Sequence, residues 1–260
     1  MTKTENFRKL NQSNDILHIG NVWDVQSALM FEKQNYKALG TSSLAIANSL
    51  GFEDGEELDF KVLLAIVKQI TSKVNIPLSV DIEGGYSRDT SIIIDNIISL
   101  YEVGVVGINI EDSIVINKVR KILPTNEFVN ILKNIKKTLE EKNIDIFINV
   151  RTDYFIMQLD NPLEETIKRI SQYEKNGADG IFIPCIVDNE DIKKVVNSTR
   201  LPINVMTISN LPSFEVLKQI GVKRVSQGPF IYNNLMEYFK NSIETIDKDK
   251  SFKSLFHETN

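Results

Sequence analysis

The stretch Leu78-Ser79-Val80-Asp81-Ile82-Glu83-Gly84-Gly85-Tyr86 carries two acids two positions apart, followed by paired glycines. Side chains alternate faces along an extended strand, so Asp81 and Glu83 are expected on one face and Val80 and Ile82 on the other. Neighbouring buried carboxylates repel and resist ionising together. A bound cation removes that conflict, and hard divalent ions take oxygen ligands. Gly84 and Gly85 suit a backbone that turns sharply or comes close to a ligand. A strand end with two solvated acids has the same spacing, so the surrounding elements must decide.

A chain of 260 residues, 42% hydrophobic and 25% charged, has an ordinary globular composition and suits one large α/β barrel. The formal net charge of −5, with no basic cluster, argues against a nucleic-acid partner. The single cysteine, Cys185, excludes an intramolecular disulfide and suggests no cysteine-based zinc site. His18 and His257 are the only histidines, too few for a histidine-rich metal site and poor support for a Ser-His-Asp triad. The polar start, Met1 to Leu10, holds no apolar signal region, and no apolar run approaches a membrane span. The expectation is a cytoplasmic protein with no membrane partner.

Residues 1–15 read as a polar leader with a short helical piece. Strand patterns follow at 17–23, 36–43, 78–83, 107–112, 145–153, 180–185, 202–207 and 224–230, with helical patterns between. The phrase from Tyr101 to Ile108 is echoed from Tyr173 to Ile181 and from Leu217 to Val225. In each, a helix stops at a glycine and an apolar strand begins a few residues later. Eight strands alternating with helices predict a single-domain α/β fold over residues 1–260, a (β/α)8 TIM-type barrel. An open doubly wound sheet is the alternative, but no G-x-G-x-x-G follows the first strand to mark its dinucleotide-binding version. Residues 113–125 carry Lys118, Arg120 and Lys121 and end at Pro124, which predicts an exposed loop. From about residue 231 the tail is expected to be helical and then charged.

In such a barrel the active site lies at the C-terminal ends of the strands. Polar residues collect there: Trp23-Asp24, Thr41-Ser42-Ser43, Asp81 and Glu83, Glu111-Asp112, Arg151-Thr152-Asp153 and Ser226-Gln227. Asp24 reads equally as a helix cap, and Asp112 and Asp153 as acids that orient neighbours or pair with Arg151. A lone cysteine such as Cys185 is more often a small buried hydrophobe than a nucleophile. Trp23 is balanced between core anchor and substrate wall.

The motifs Asn21-Val22-Trp23-Asp24, Gly40-Thr41-Ser42-Ser43, Ser49-Leu50-Gly51-Phe52-Glu53-Asp54, Val80 to Tyr86 and Asn109-Ile110-Glu111-Asp112 come in register with Val150-Arg151-Thr152-Asp153 and Arg224 to Pro229. Together, over roughly residues 17–235, they resemble the isocitrate lyase/phosphoenolpyruvate mutase superfamily. The resemblance implies a barrel that holds Mg²⁺ (or Mn²⁺) by carboxylates and acts on small 2-oxo acids or their enols. It also implies a homodimer or homotetramer whose subunits exchange the last helix. By position, Asp81, Glu83 and Glu111 match metal carboxylates. Asp54 matches an acid of a mobile loop beside the metal, and Ser42 and Ser43 match amides that hold the substrate carboxylate. Trp23 matches an aromatic wall, and Arg151 matches the arginine facing the second anionic group.

The chain departs from the family after Asp112, where it reads Ser113 to Arg120. The Lys-Lys-Cys-Gly-His loop of the lyase branch and the Lys-Thr-Asn element of the mutase branch are both missing. The expected function is an Mg²⁺-dependent carbon–carbon lyase acting on a small 2-oxo dicarboxylate through a pyruvate enolate, of oxaloacetate or substituted-malate type. Phosphoenolpyruvate mutase or phosphonopyruvate hydrolase chemistry is the alternative, and a binding protein without turnover is a third reading. Residues 113–125 with Asp54 are expected to form a lid, bringing Lys118 and Arg120 towards the anionic substrate.

Overall fold

The computed structural model describes residues 1–256, so His257 lies outside the described residues. Helix α1 (Lys3–Gln12) opens with a capping box between Thr2 and Glu5. It is followed by β1 (Leu17–Val22), α2 (Val25–Lys33), β2 (Leu39–Thr41), α3 (Ser43–Ser49), α4 (Phe60–Thr71), β3 (Leu78–Asp81), α5 (Thr90–Glu102) and β4 (Gly107–Glu111). A hairpin, β5 (Ser113–Ile116) and β6 (Val119–Ile122), precedes α6 (Thr125–Glu141) and β7 (Phe147–Arg151). The chain ends with α7 (Pro162–Lys175), β8 (Gly180–Ile183), α8 (Asn189–Asn197), β9 (Ile203–Met206), α9 (Phe214–Ile220), β10 (Arg224–Ser226) and the long α10 (Phe230–Asp249).

Eight parallel strands close into a barrel in the order β1-β2-β3-β4-β7-β8-β9-β10, as the sequence pattern predicts. The glycines expected as helix stops all have positive φ: Gly104 at 92°, Gly177 at 114° and Gly221 at 105°. Alternation sorts the strand residues. Ile108 and Ile110 of β4, Ile148 and Val150 of β7, and Ile203 and Val205 of β9 join the core beneath the helices. The residues between them turn into the lumen, which is rich in amides. Arg224 of β10 reaches across it to Asn109 of β4, and Asn109 in turn meets Asn149 of β7. The floor is apolar: Phe7 of α1 is fully buried and packs edge-on against Phe147 at 5.4 Å. Residues 1–15 therefore include the plug that closes the barrel's N-terminal end. Arg8 fastens it through Asp145 and Asp179, each at 2.8 Å. Among the described residues no helix is long and apolar enough to cross a membrane.

The segment 113–125 differs from the exposed loop expected of it. Ser113 pairs with Ile122 and Ile116 with Val119 in an antiparallel hairpin. β-branched residues on both arms favour strands, and Asn117 and Lys118 take the turn with φ of 51° and 64°.

Candidate active site

A cavity of about 360 Å³ opens at the C-terminal ends of the strands, lined among others by Ser42, Ser43, Asp54, Asp81, Arg120 and Arg151. The backbone N–H of Asp81 donates to Thr41 Oγ1 at 2.8 Å, which ties the end of β3 to the end of β2. Ser42 caps α3 by accepting from the Ala45 N–H. Ser43 Oγ donates to Asp81 Oδ2 at 3.5 Å.

The strand ends at Asp81, and alternation does not carry through to Glu83 as expected. Glu83 has a φ of 49°, and its N–H donates to Asp81 Oδ1 at 3.1 Å. Gly85 follows with a φ of 106°, where an added Cβ would lie 2.8 Å from the Ile93 side chain, so the turn requires glycine. Glu83 lies behind Asp81 and is not among the cavity-lining residues; Tyr86 Oη donates to its Oε1 at 3.2 Å.

Glu111 and Arg151 sit opposite each other in the β4–β7 register, with Arg151 Nη1 3.0 Å from Glu111 Oε2. Asp153 accepts from Arg151 Nε at 2.6 Å, in the orienting role open to it from the sequence. Asp112 turns away instead. It accepts from Tyr173 Oη at 2.7 Å and Arg169 Nη1 at 3.0 Å, and so pins α7 to the barrel. From the hairpin, Arg120 Nη1 donates to Glu111 Oε1, to Ser113 Oγ at 2.8 Å and to Asp153 Oδ2 at 3.1 Å. Its Nη2 lies 3.9 Å from Asp54 Oδ2. Lys118, at the tip, pairs with Glu53 at 2.7 Å.

Other candidates sit elsewhere. Trp23 is not part of the cavity lining; its ring packs against Tyr232 of α10 at 5.2 Å. Asp24 caps α2 through the Ser27 N–H. Gln227 turns its side chain outward to His18 and Tyr36. Cys185 lines the cavity with a φ of 68°, and burial pushes its thiol up. Asn21 and Asn109 line the cavity as well and were not singled out from the sequence. A signal for Asn109 was present: it lies two residues before Glu111, on the same strand face.

Burial dominates the electrostatics. It pushes Glu83 up to about 9, reinforced by Asp54, Glu111 and Asp81. It pushes Glu111 up to about 8 against the pull of Arg151. Asp81 is raised in the same way. Asp153 resists burial because Arg151 and Arg120 hold it below the usual carboxylate range. Asp54 Oδ1 and Glu83 Oε2 are buried oxygens with no hydrogen-bond donor, while Glu111 Oε2 meets only the Arg151 guanidinium, as an ion pair. No three His, Cys, Asp or Glu side chains among the described residues converge tightly enough to cage a metal directly. Oxygens without donors in an acid-rich pocket nevertheless fit a hard cation that keeps part of its water shell, as Mg²⁺ does.

The fold and site together define a TIM-type barrel with a pocket of acids and arginines where barrel enzymes place their chemistry. The sequence model for phosphoenolpyruvate phosphomutase matches residues 7–247. The chain belongs to that family, within the phosphoenolpyruvate mutase/isocitrate lyase superfamily of lyases and mutases. It is 29% identical over 227 residues to an uncharacterized protein of Mycobacterium tuberculosis, covering 87% of this chain and 83% of that one. It is 25% identical over 234 residues to the oxaloacetate decarboxylase of Pseudomonas savastanoi pv. phaseolicola, covering 87% and 78%. The crystal structure of a candidate phosphonomutase from Burkholderia cenocepacia superposes with a TM-score of 0.87 at 28% identity, covering 93% of this chain and 99% of that one.

Proposed function

We propose that this protein is an Mg²⁺-dependent lyase that takes a small 2-oxo dicarboxylate and breaks a carbon–carbon bond to leave a pyruvate enolate. The observation that carries the reading is that Asp54, with a buried oxygen that has no donor, and Asp81 line one cavity with the Arg151 guanidinium. Asp54 and Asp81 of the lining, with Glu83, Glu111 and Asp153 around it, outnumber Arg120 and Arg151, and a divalent cation offsets that excess. Asp81, Glu83 and Glu111, with Asp54 from the acidic loop, would hold it. When bound, such an ion supplies Lewis-acid polarisation of a 2-oxo group.

The chain's own groups account for orientation. Arg151, held by Asp153 and Glu111, presents a fork suited to a carboxylate. Arg120 adds a second guanidinium from the hairpin, which also narrows access for water that would protonate an enolate early. Decarboxylation of an oxaloacetate-type substrate breaks the bond to the far carboxylate. CO₂ leaves, and the electron pair stays on the enolate until a proton arrives. Resemblance to an oxaloacetate decarboxylase supports this choice. Chemistry at a carbon–phosphorus bond is the second reading, favoured by the phosphomutase family model.

Assays of oxaloacetate, substituted malates and phosphonopyruvate with Mg²⁺ or Mn²⁺ separate the two. Metal-dependent pyruvate release from a dicarboxylate is expected. Turnover of phosphonopyruvate alone would move the assignment to the second reading, and no turnover of any 2-oxo acid would sink both. The protein is also proposed to work as a homodimer or homotetramer, a reading supported by the apolar face α10 leaves exposed.

A further inference from the structure

Arg224 is 1% exposed and has no carboxylate within ion-pairing distance among the described residues. Its Nε and Nη1 have no acceptor, and its guanidinium lies 5.8 Å from the Phe7 ring centroid. A charge buried this way is expensive, and a barrel built for packing alone would place an apolar side chain there. Its hydrogen-bonded contact is with Asn109. Arg224 Nη2 donates to Asn109 Oδ1 at 3.4 Å, and Asn149 Nδ2 donates to the same oxygen at 2.9 Å. Arg224 can only donate, which orients the Asn109 oxygen towards it. Asn109 lines the cavity, and its Nδ2 has no protein acceptor among the described residues.

We propose that Asn109 is a further substrate-binding residue, donating through Nδ2 to an anionic oxygen of the bound dicarboxylate, and that Arg224 is the positioning residue that turns the amide that way. This rests on the reading above that the cavity takes a small dicarboxylate. The carboxylate-rich side of the pocket would repel such a ligand. Asn109 supplies a neutral donor beside Asp81, its register partner on β3. Arg224 lies beneath it as a fixed positive charge whose nearest acidic influence is Asp81.

The test is calorimetric titration of oxalate, a planar dicarboxylate analogue of an enolised 2-oxo acid, into the full-length protein with Mg²⁺ present. Asn109→Asp keeps the shape and replaces the donor with an acceptor, and it is expected to weaken oxalate about ten-fold or more. Arg224→Met is expected to weaken oxalate too while leaving Tm unchanged or higher, since an unpaired buried charge has been removed. Arg224→Lys should restore part of the affinity. A merely structural arginine gives the opposite pattern: Tm falls in Arg224→Met and affinity holds. If the aspartate variant fails to fold, the Asn109 side-chain amide signals of the wild type, read by ¹⁵N NMR, still decide, because they must move on adding oxalate. Wild-type protein that takes up no oxalate overturns the functional reading and this inference with it. Wild-type binding that persists unchanged in Asn109→Asp, or amide signals that stay in place, overturns the inference alone.

Discussion

Asp81 touches the neighbouring strand through its backbone and the cavity through its side chain, so the two contributions can be separated. Asp81→Ala keeps the N–H bond to Thr41 and deletes only the carboxylate. The fold should survive, with Tm within a few degrees of the wild type or slightly above, because one of several repelling acids is gone. Metal-dependent activity should be lost. In a thermal-shift series Mg²⁺ should protect the wild type and not the variant; equal protection of both would place the cation elsewhere. Glu83 gives a pH test. Its folded-state pKa, about 9, lies above the ordinary carboxylate value, so between roughly pH 4.5 and 9 the folded protein keeps a proton that the unfolded chain releases. Stability of the metal-free protein should therefore fall as pH rises through that window. Glu83→Gln removes Glu83's share of this dependence and leaves that of Glu111. Its Tm should match the wild type near pH 5 and exceed it near pH 9, by roughly 2–4 °C for each kcal/mol recovered. Parallel Tm curves for the two proteins would mean that Glu83 is already ionised in the fold.

The hairpin is the element proposed to close the site. Two different grips hold it. At the tip, Lys118 and Glu53 are both largely exposed, and such pairs contribute little. One residue pair in from the turn, Arg120 is anchored among Glu111, Ser113 and Asp153 in a partly buried setting. Gly55 of the acidic loop packs directly against the Val115 side chain. Hairpin and acidic loop therefore meet beside the pocket, and we propose that they close over a bound substrate as a lid. Lys118→Ala should change turnover little. Arg120→Ala should lower it about ten-fold or more while weakening metal binding far less. Proteolytic cleavage within 113–125 should slow when Mg²⁺ and oxalate are present. Unaltered cleavage together with full activity of Arg120→Ala would reduce the hairpin to surface structure.

At the scale of the whole molecule, α10 stands apart from the barrel. Tyr232 is its buried side chain, while Leu235, Phe239 and Ile243 form an exposed stripe at i, i+4 and i+8. A 20-residue helix with such a stripe is expected to pack against another copy of the chain. Sedimentation analysis should give a dimer or tetramer at micromolar concentration, and Leu235→Asp with Phe239→Asp should shift it towards monomer. A monomeric wild type would remove the assembly from the proposal.

Eight apolar strand patterns separated by helix patterns, with glycine stops at Gly104, Gly177 and Gly221, left few ways to bury both sheet faces, so the barrel was legible in the sequence. The acids at the ends of β3 and β4 and Arg151 at the end of β7 were legible too, because strand alternation is local. Contacts between distant segments were not. Arg120 lies nine residues after Glu111 along the chain, yet only the hairpin's fold-back brings its guanidinium onto that carboxylate. Asp112 looked available to Arg151 until α7 brought Arg169 beside it. Trp23 had two walls open to it, and the placement of α10 turned it to Tyr232. The lumen's amide cluster depends on barrel closure, since Arg224 and Asn109 are 115 residues apart and on opposite walls of the barrel. Local alternation determined which residues face inward, and closure of the barrel and packing of the hairpin decided which of them meet.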